Sequence, residues 1–450
     1  MLRTKLHYAL SAAALMLVAA PLRADTLKVP AQFDTIQAAI DAAGVDDVIS
    51  VSKGTYAENL VITTSGITIK GKSVTINGRY QGNCITVNAN DVTIQSLTLA
   101  NGGGLPPKDG DNTGGLLYVG TGANISKLTV NACEDFGIFL DGTGTVDGCK
   151  VDTCLGDGIT VSTDNPTNAD VSVISKNSVT HCDNGIVADD GPFSIDKNTC
   201  TENNGNGLIV TIPLPVNDGA SIAQTSVTKN SLDNNHETGL SIDQQVNVAP
   251  GVLVDKNTIE NNDAGCEFSG FFITATNNTV QDNALTGIDL FATSSTLTKN
   301  KVKGNGRNGI NVGAGDVPAD GGSVEGLNVL HQNTLQDNGG DGVNITSNNN
   351  EVHDSTIKGN LGDGIDIEVG ADSNSIMDNK ISDNGHEGID NSGLDTEISG
   401  NNSKNNGGAD IAGAGDGAGT VATEGESGNK VNDDSDITTY TTLGELDLDT

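Results

Sequence analysis

The chain has 450 residues, with 59 acidic against 23 basic side chains, a formal net charge of −36 and a pI near 4.1. Such a surface repels nucleic acid, and it repels anionic polymers wherever no cation or local basic strip intervenes, so a nucleic-acid partner is not expected. Aromatic residues make up only 3% and tryptophan is absent, which leaves few platforms for stacking sugar rings.

Residues 1–24 begin with Arg3 and Lys5, continue in an apolar run from Ala9 to Ala20 and end at Ala24 before Asp25. This is the pattern of a secretory signal peptide and predicts a secreted, periplasmic or cell-surface protein. No later stretch is apolar for the roughly 18 residues a membrane span needs, so no span is expected. Residues 25–47 are expected to form an N-terminal cap. Asp34 and Gln37 have capping-box spacing, and Phe33, Ile36 and Ile40 make one apolar stripe, predicting a short helix over an open core. The run from Val29 to Ala43 resembles the opening segment of pectinesterases and related β-helices.

Residues 48–412 repeat. Gly-Ile or a close variant stands at Gly137, Gly158, Gly185, Gly207, Gly239, Gly265, Gly287, Gly309, Gly342, Gly364 and Gly388, mostly 21 to 27 residues apart, with two gaps of 32 and 33. Between anchors, apolar and polar residues alternate with the period of a strand, broken by Asn, Asp and Gly turns. A short repeat of this kind buries its apolar side only against neighbouring coils, and parallel crossovers are overwhelmingly right-handed. The predicted fold is all-β, a right-handed parallel β-helix with a short N-terminal capping helix and internal Asn ladders. One ladder is expected at Asn203, Asn235, Asn261, Asn283, Asn305, Asn338, Asn360 and Asn384, four residues before each anchor. A second is expected at Asn177, Asn198, Asn230, Asn257, Asn278, Asn300, Asn333 and Asn379. Stacked amides satisfy one another where an unpaired amide would be costly. Residues 413–450 turn Gly- and Asp-rich and predict a frayed last coil or mobile tail.

Over most of residues 29–412 the chain resembles the pectin-lyase-like superfamily, and within it NosD-like periplasmic proteins whose coils also read N-x-[IVT]-x-x-N-x-x-x-G-I. The resemblance implies the fold and little about activity, since that superfamily includes lyases, hydrolases, esterases, epimerases, adhesins and proteins without known catalysis. Specific motifs of pectinesterases, polygalacturonases and alginate epimerases are missing. Gly144 to Gly148 matches a pectinesterase stretch faintly, without its aromatic continuation.

Of seven cysteines, Cys133 and Cys154 share a slot in adjacent coils, where either a disulfide or stacked free thiols would fit. The residue after each Gly-Ile should point outward. That column brings Glu267 and Asp289 onto adjacent coils about 5 Å apart, a separation suited to a glycosidase nucleophile and acid, to a calcium ligand pair, or to a plain solvated face. Inserted segments at 211–225, 243–252 and 313–326 follow the same strand and would wall a groove over this pair, with Phe268, Phe271, Phe272 and Phe291 nearby. Asp341, Asp363 and Asp366 offer hard oxygens to calcium, the one cofactor expected. Lys176, Lys197, Lys229 and Lys256 form a basic strip that would track the carboxylates of a uronic-acid polymer, or lie salt-linked to Asp196 and Asp255. His331 and His353 share a register and would suit a transition metal, though no third ligand is evident. The expected function is association with polysaccharide, binding or cleaving it by lyase or hydrolase chemistry. The alternative is a non-catalytic structural, adhesive or periplasmic accessory protein.

Overall fold

A computed structural model describes residues 24–104, 113–163, 170–212, 223–245, 251–313, 326–415, 429–430 and 437–441. The predicted signal peptide lies outside these described residues up to position 23, as does most of the Gly- and Asp-rich tail. The described chain winds through three long sheets of 16, 15 and 16 strands, visited in turn by each coil. All pairings between successive coils in these sheets are parallel and in register, for example Ile186 with Leu208 and Leu240 with Cys266. Period-two alternation then sends Ile288 and Leu290 into a dry core while Asp289 faces out. The third sheet extends past residue 412: Ile411–Gly415 pairs with Ile437–Thr441.

The capping helix is present at Ile36–Ala42, with Ile36 and Ile40 buried and Phe33 packed against the core. Its N-cap is Thr35, one residue later than the Asp34 expected: the Thr35 hydroxyl accepts from Ala38 N. The backbone N–H groups of Ile36 and Gln37 donate to the Glu58 carboxylate, so a side chain from the first coil completes the cap that Asp34 was expected to supply.

Both ladders are present, with one correction. The first runs Asn203, Asn235, Asn262, Asn283, Asn305, Asn338, Asn360, Asn384 and Asn406, each amide donating to the next oxygen at 2.9–3.1 Å. The member from its third coil is Asn262, and Asn261 is the exposed turn residue before it. At both ladder corners the preceding residue is left-handed: φ is 57° at Asn261, 56° at Asp282 and 58° at Lys256. The turn from Asn262 to Gly265 is a residue shorter than in the coils that follow, so counting back from the anchor selects the wrong one of two adjacent asparagines. The second ladder continues through Ser355, whose hydroxyl accepts from Asn333 N, to Asn379, Asn401 and Asn429.

Thiols take over the ladder positions at the N-terminal ends. Cys182 N donates to Asn203 Oδ1 and Cys149 N donates to Asn177 Oδ1. Cys133 and Cys154 are in register as expected, and all seven cysteines are buried free thiols, so stacking without a bond is the arrangement found. Burial pushes the Cys84 and Cys149 thiols up to about 12, which keeps them unreactive.

Because Asn262 is buried with its amide fully engaged while Asn261 is exposed, the two positions should respond differently. Asn262→Ala is expected to lower stability by about 1–3 kcal/mol, since it strands the backbone and amide N–H groups of Asn235 and the Leu232 carbonyl. Asn261→Gly should stay within about 0.5 kcal/mol, because glycine accepts the left-handed turn. Urea unfolding followed by circular dichroism distinguishes the two.

Candidate functional site

The outward column of the third sheet runs in unbroken register through Glu267, Asp289, Asn311, Asn344, Asp366 and Asp390. Glu267 lies in the longest strand, Ala264–Phe271, and is exposed; Asp289 lies in Ile288–Thr293 and is partly buried. Burial raises the Asp289 carboxyl above its ordinary value, opposed by hydrogen bonds from Asn311 and Thr286 and by the charge of Arg307. Asn311 Nδ2 donates directly to Asp289 Oδ1. Burial is what raises the Asp289 carboxyl, with no contribution from a charge on Glu267.

Two residues further along the same strands, Ser269 is in register with Phe291. Phe291 keeps 40% of its surface exposed, whereas Phe268 is buried at 1% and points into the core. Of the four phenylalanines expected near the pair, Phe268 is in the core, Phe271 and Phe272 are partly buried, and Phe291 is the most exposed, two residues along its strand from Asp289. The inserted segments leave from the ends of Leu208–Ile212, Thr238–Gln244 and Ile310–Val312, all in the third sheet, and their interiors at 213–222, 246–250 and 314–325 lie outside the described residues.

Further along this face the carboxylates crowd. Asp363, Asp366 and Asp390 bring oxygens within 4.8 Å of one another, close enough to share one cation, and Asp363 forms a second such group with His386 and Glu387. Asp341, expected as a third ligand, sits one coil back. Its Oδ1 accepts from Asp363 N at 2.8 Å, and Asp363 Oδ1 in turn accepts from Glu387 N at 2.6 Å. These turn residues continue a polar stack in which Asn308 Oδ1 accepts from Asp341 N. Counting from turns favoured Asp341 over Asp390, which the strand register carries to Asp366. Burial pushes the Asp363 carboxyl up to about 8, helped by its hydrogen bond with Glu387. Burial, then the charges of Asp341, Glu368 and Asp390, pushes Asp366 up to about 7. Asp341 and Asp390 are raised by burial as well. Half-buried carboxylates so close favour uptake of protons or of a shared cation.

The lysines lie elsewhere. Lys176, Lys197, Lys229 and Lys256 occupy the left-handed turn between the first and second sheets, at φ of 55–58°, an edge the third sheet does not adjoin. Each reaches an aspartate: Lys176 to Asp147 at 2.9 Å, Lys197 and Lys229 to Asp196 at 2.8 and 3.8 Å, and Lys256 to Asp255 at 2.7 Å. The salt-linked arrangement expected from neighbouring Asp196 and Asp255 is present, and these lysines share no groove with Glu267 and Asp289. His331 and His353 lie on the same edge, beyond the lysines.

The described residues form a solenoid carrying in-register polar columns. The chain belongs to the right-handed beta helix family, whose sequence pattern matches residues 58–212 and 286–436. A comparison with curated proteins finds no match. Among solved structures it is similar to the A-module of the Azotobacter vinelandii mannuronan C-5 epimerase AlgE6, at 14% identity and a TM-score of 0.44, over 90% of this chain and 94% of that one. It is similar also to a PL6 alginate lyase in complex with a trisaccharide, at 13% identity and 0.41, over 94% and 95%. A third is the receptor-binding domain of the siphovirus 9NA tailspike, at 12% and 0.37, over 94% and 77%. Among the described residues no helix is long and apolar enough to cross a membrane.

The raised carboxyls fix a sign for pH dependence. Unfolded aspartates ionise near pH 3.9, while Asp363 and Asp366 hold their protons up to about 8 and 7 when folded. Their contribution to stability is thus full below about pH 4 and is lost as pH rises through 7 to 8. In chelator-treated protein, the melting temperature should fall between pH 4 and 8, and Asp363→Asn with Asp366→Asn should flatten that fall; differential scanning calorimetry of both proteins across this range checks it.

Proposed function

We propose that this chain is an extracytoplasmic glycan-associating β-helix that seats a sugar chain on the outward face of its third sheet. The observation that carries the reading is the in-register group of Glu267, Asp289 and the exposed Phe291 ring. An aromatic face supplies apolar contact to a sugar ring, and carboxylates accept from its hydroxyls. Asp289, whose proton affinity is raised by burial, is suited to donate a proton to a leaving oxygen. Glu267, exposed on the adjacent coil about 4.8 Å away by strand spacing, is suited to the nucleophile of a retaining hydrolase. Calcium, by its preference for oxygen ligands, is the cation proposed for Asp363, Asp366 and Asp390, with Asp341 holding the turn behind them. There it would offset the acidity of the face and admit uronic-acid polymers. Lys176, Lys197, Lys229 and Lys256 are proposed as a separate weak contact along their own edge, available only where a polymer carboxylate displaces an aspartate. That engagement of every lysine favours a second reading, a non-catalytic structural, adhesive or periplasmic accessory protein.

The test is a panel of neutral and uronic-acid polysaccharides, with and without calcium, read by calorimetric binding, by reducing ends and by the ultraviolet absorbance of unsaturated products. Binding that Phe291→Ala weakens about tenfold is expected. If bonds are cut, Asp289→Asn should slow release of reducing ends by about 10² or more. Silence across the panel would overturn the glycan reading in favour of the accessory one.

A further inference from the structure

We propose that His331, His353 and Asp354 form a binding site for one divalent transition-metal ion of the zinc or copper kind. The site lies at the edge between the first and second sheets, away from the face argued above, and does not depend on it.

Along this edge the last outward residue of each first-sheet strand forms a column that reads Asp255, Thr276, Thr298, His331, His353 and Met377 in register. The turn residue that follows is Lys256, paired to Asp255, in the first of these coils, and then Asn277, Lys299 and Gln332, all left-handed. At His353 it is Asp354, in the same left-handed conformation with φ of 54°. The chemistry of the edge therefore changes from acid with lysine to imidazole with acid. The left-handed turn swings Asp354 back over the strand end, so that its Oδ2 lies 3.1 Å from His353 Nδ1 and 3.6 Å from His331 Nδ1. The two Nδ1 atoms are themselves 2.9 Å apart, with ring centroids at 4.1 Å.

Three ligand atoms thus converge on one point. A proton can bridge one of these three separations at a time, whereas a metal ion serves all three. With metal–nitrogen and metal–oxygen bonds of about 2.0–2.2 Å, neighbouring ligands at tetrahedral to right-angle geometry lie about 2.8–3.6 Å apart, and the three separations found fall in that range. Glu351 Oε1 stands 3.5 Å from His353 Nε2, on the far side of the ring. A carboxylate there favours the Nε2–H tautomer and leaves the Nδ1 lone pair for a metal. Both imidazoles are only partly exposed, at 27% and 22% of their side-chain surface, so they are held in place. Nitrogen ligands select zinc, copper or nickel over calcium and magnesium. Three protein ligands leave a position open, which suits a site that exchanges its ion.

Tag-free protein titrated with zinc in the presence of excess calcium tests this by calorimetry, and the copper-loaded form tests it by electron paramagnetic resonance. The expected result is one equivalent bound despite the calcium, with nitrogen coupling in the copper spectrum. His331→Ala with His353→Ala should remove that coupling and the bound equivalent. Asp354→Asn, which tolerates the left-handed turn, should weaken zinc by about tenfold or more while leaving the circular dichroism unchanged. Competition of calcium for the same equivalent, or unaltered zinc affinity in both variants, would overturn the proposal.

Discussion

A buried asparagine has two amide protons to give and an oxygen with two lone pairs, and the in-register stack of coils uses all of them. Asn262 donates to Asn283 and to the Leu232 carbonyl, and it accepts from the backbone and amide of Asn235. A one-residue slip of any coil would break this pattern at both corners and would also turn the apolar face of each strand outward. Register is therefore fixed twice, by the core and by the ladders.

Fixed register converts sequence position into surface columns. A residue type that recurs at one offset from the anchor glycine becomes a stripe along the solenoid, one side chain per strand spacing. The third sheet gains carboxylates in this way, from Glu267 and Asp289 to Asp366 and Asp390, and the edge of the first sheet gains lysines at its turns and, in the neighbouring strand-end column, two histidines. The repetition that satisfies the backbone also brings like charges together. Burial among like charges then raises Asp363 and Asp366 toward neutrality, where a cation competes with protons.

The fold was legible because the alternation, the anchor spacing and the asparagines all report the same period. Details that depend on turn length were not. Asn261 and Asn262 are adjacent, and only the shortened turn to Gly265 decides which enters the core. Thr35 caps the helix because Glu58, more than twenty residues away, takes the next two N–H groups, and the local spacing of Asp34 and Gln37 carries no trace of that. On the site, the Glu267 and Asp289 pairing follows from alternation alone. The exposed Phe291 could have been separated from buried Phe268 by the same counting. Asp354 was hidden because it is next to His353 in sequence, where strand geometry would send it to the opposite face. Its left-handed turn reverses that direction.

Register is proposed to assemble ligand groups from separate coils. Anomalous diffraction from crystals grown with both calcium and zinc tests it most directly. A calcium position bounded by Asp363, Asp366 and Asp390 is expected, and a zinc position bounded by His331, His353 and Asp354. Ions scattered over exposed surface acids, with both groups unoccupied, would contradict it.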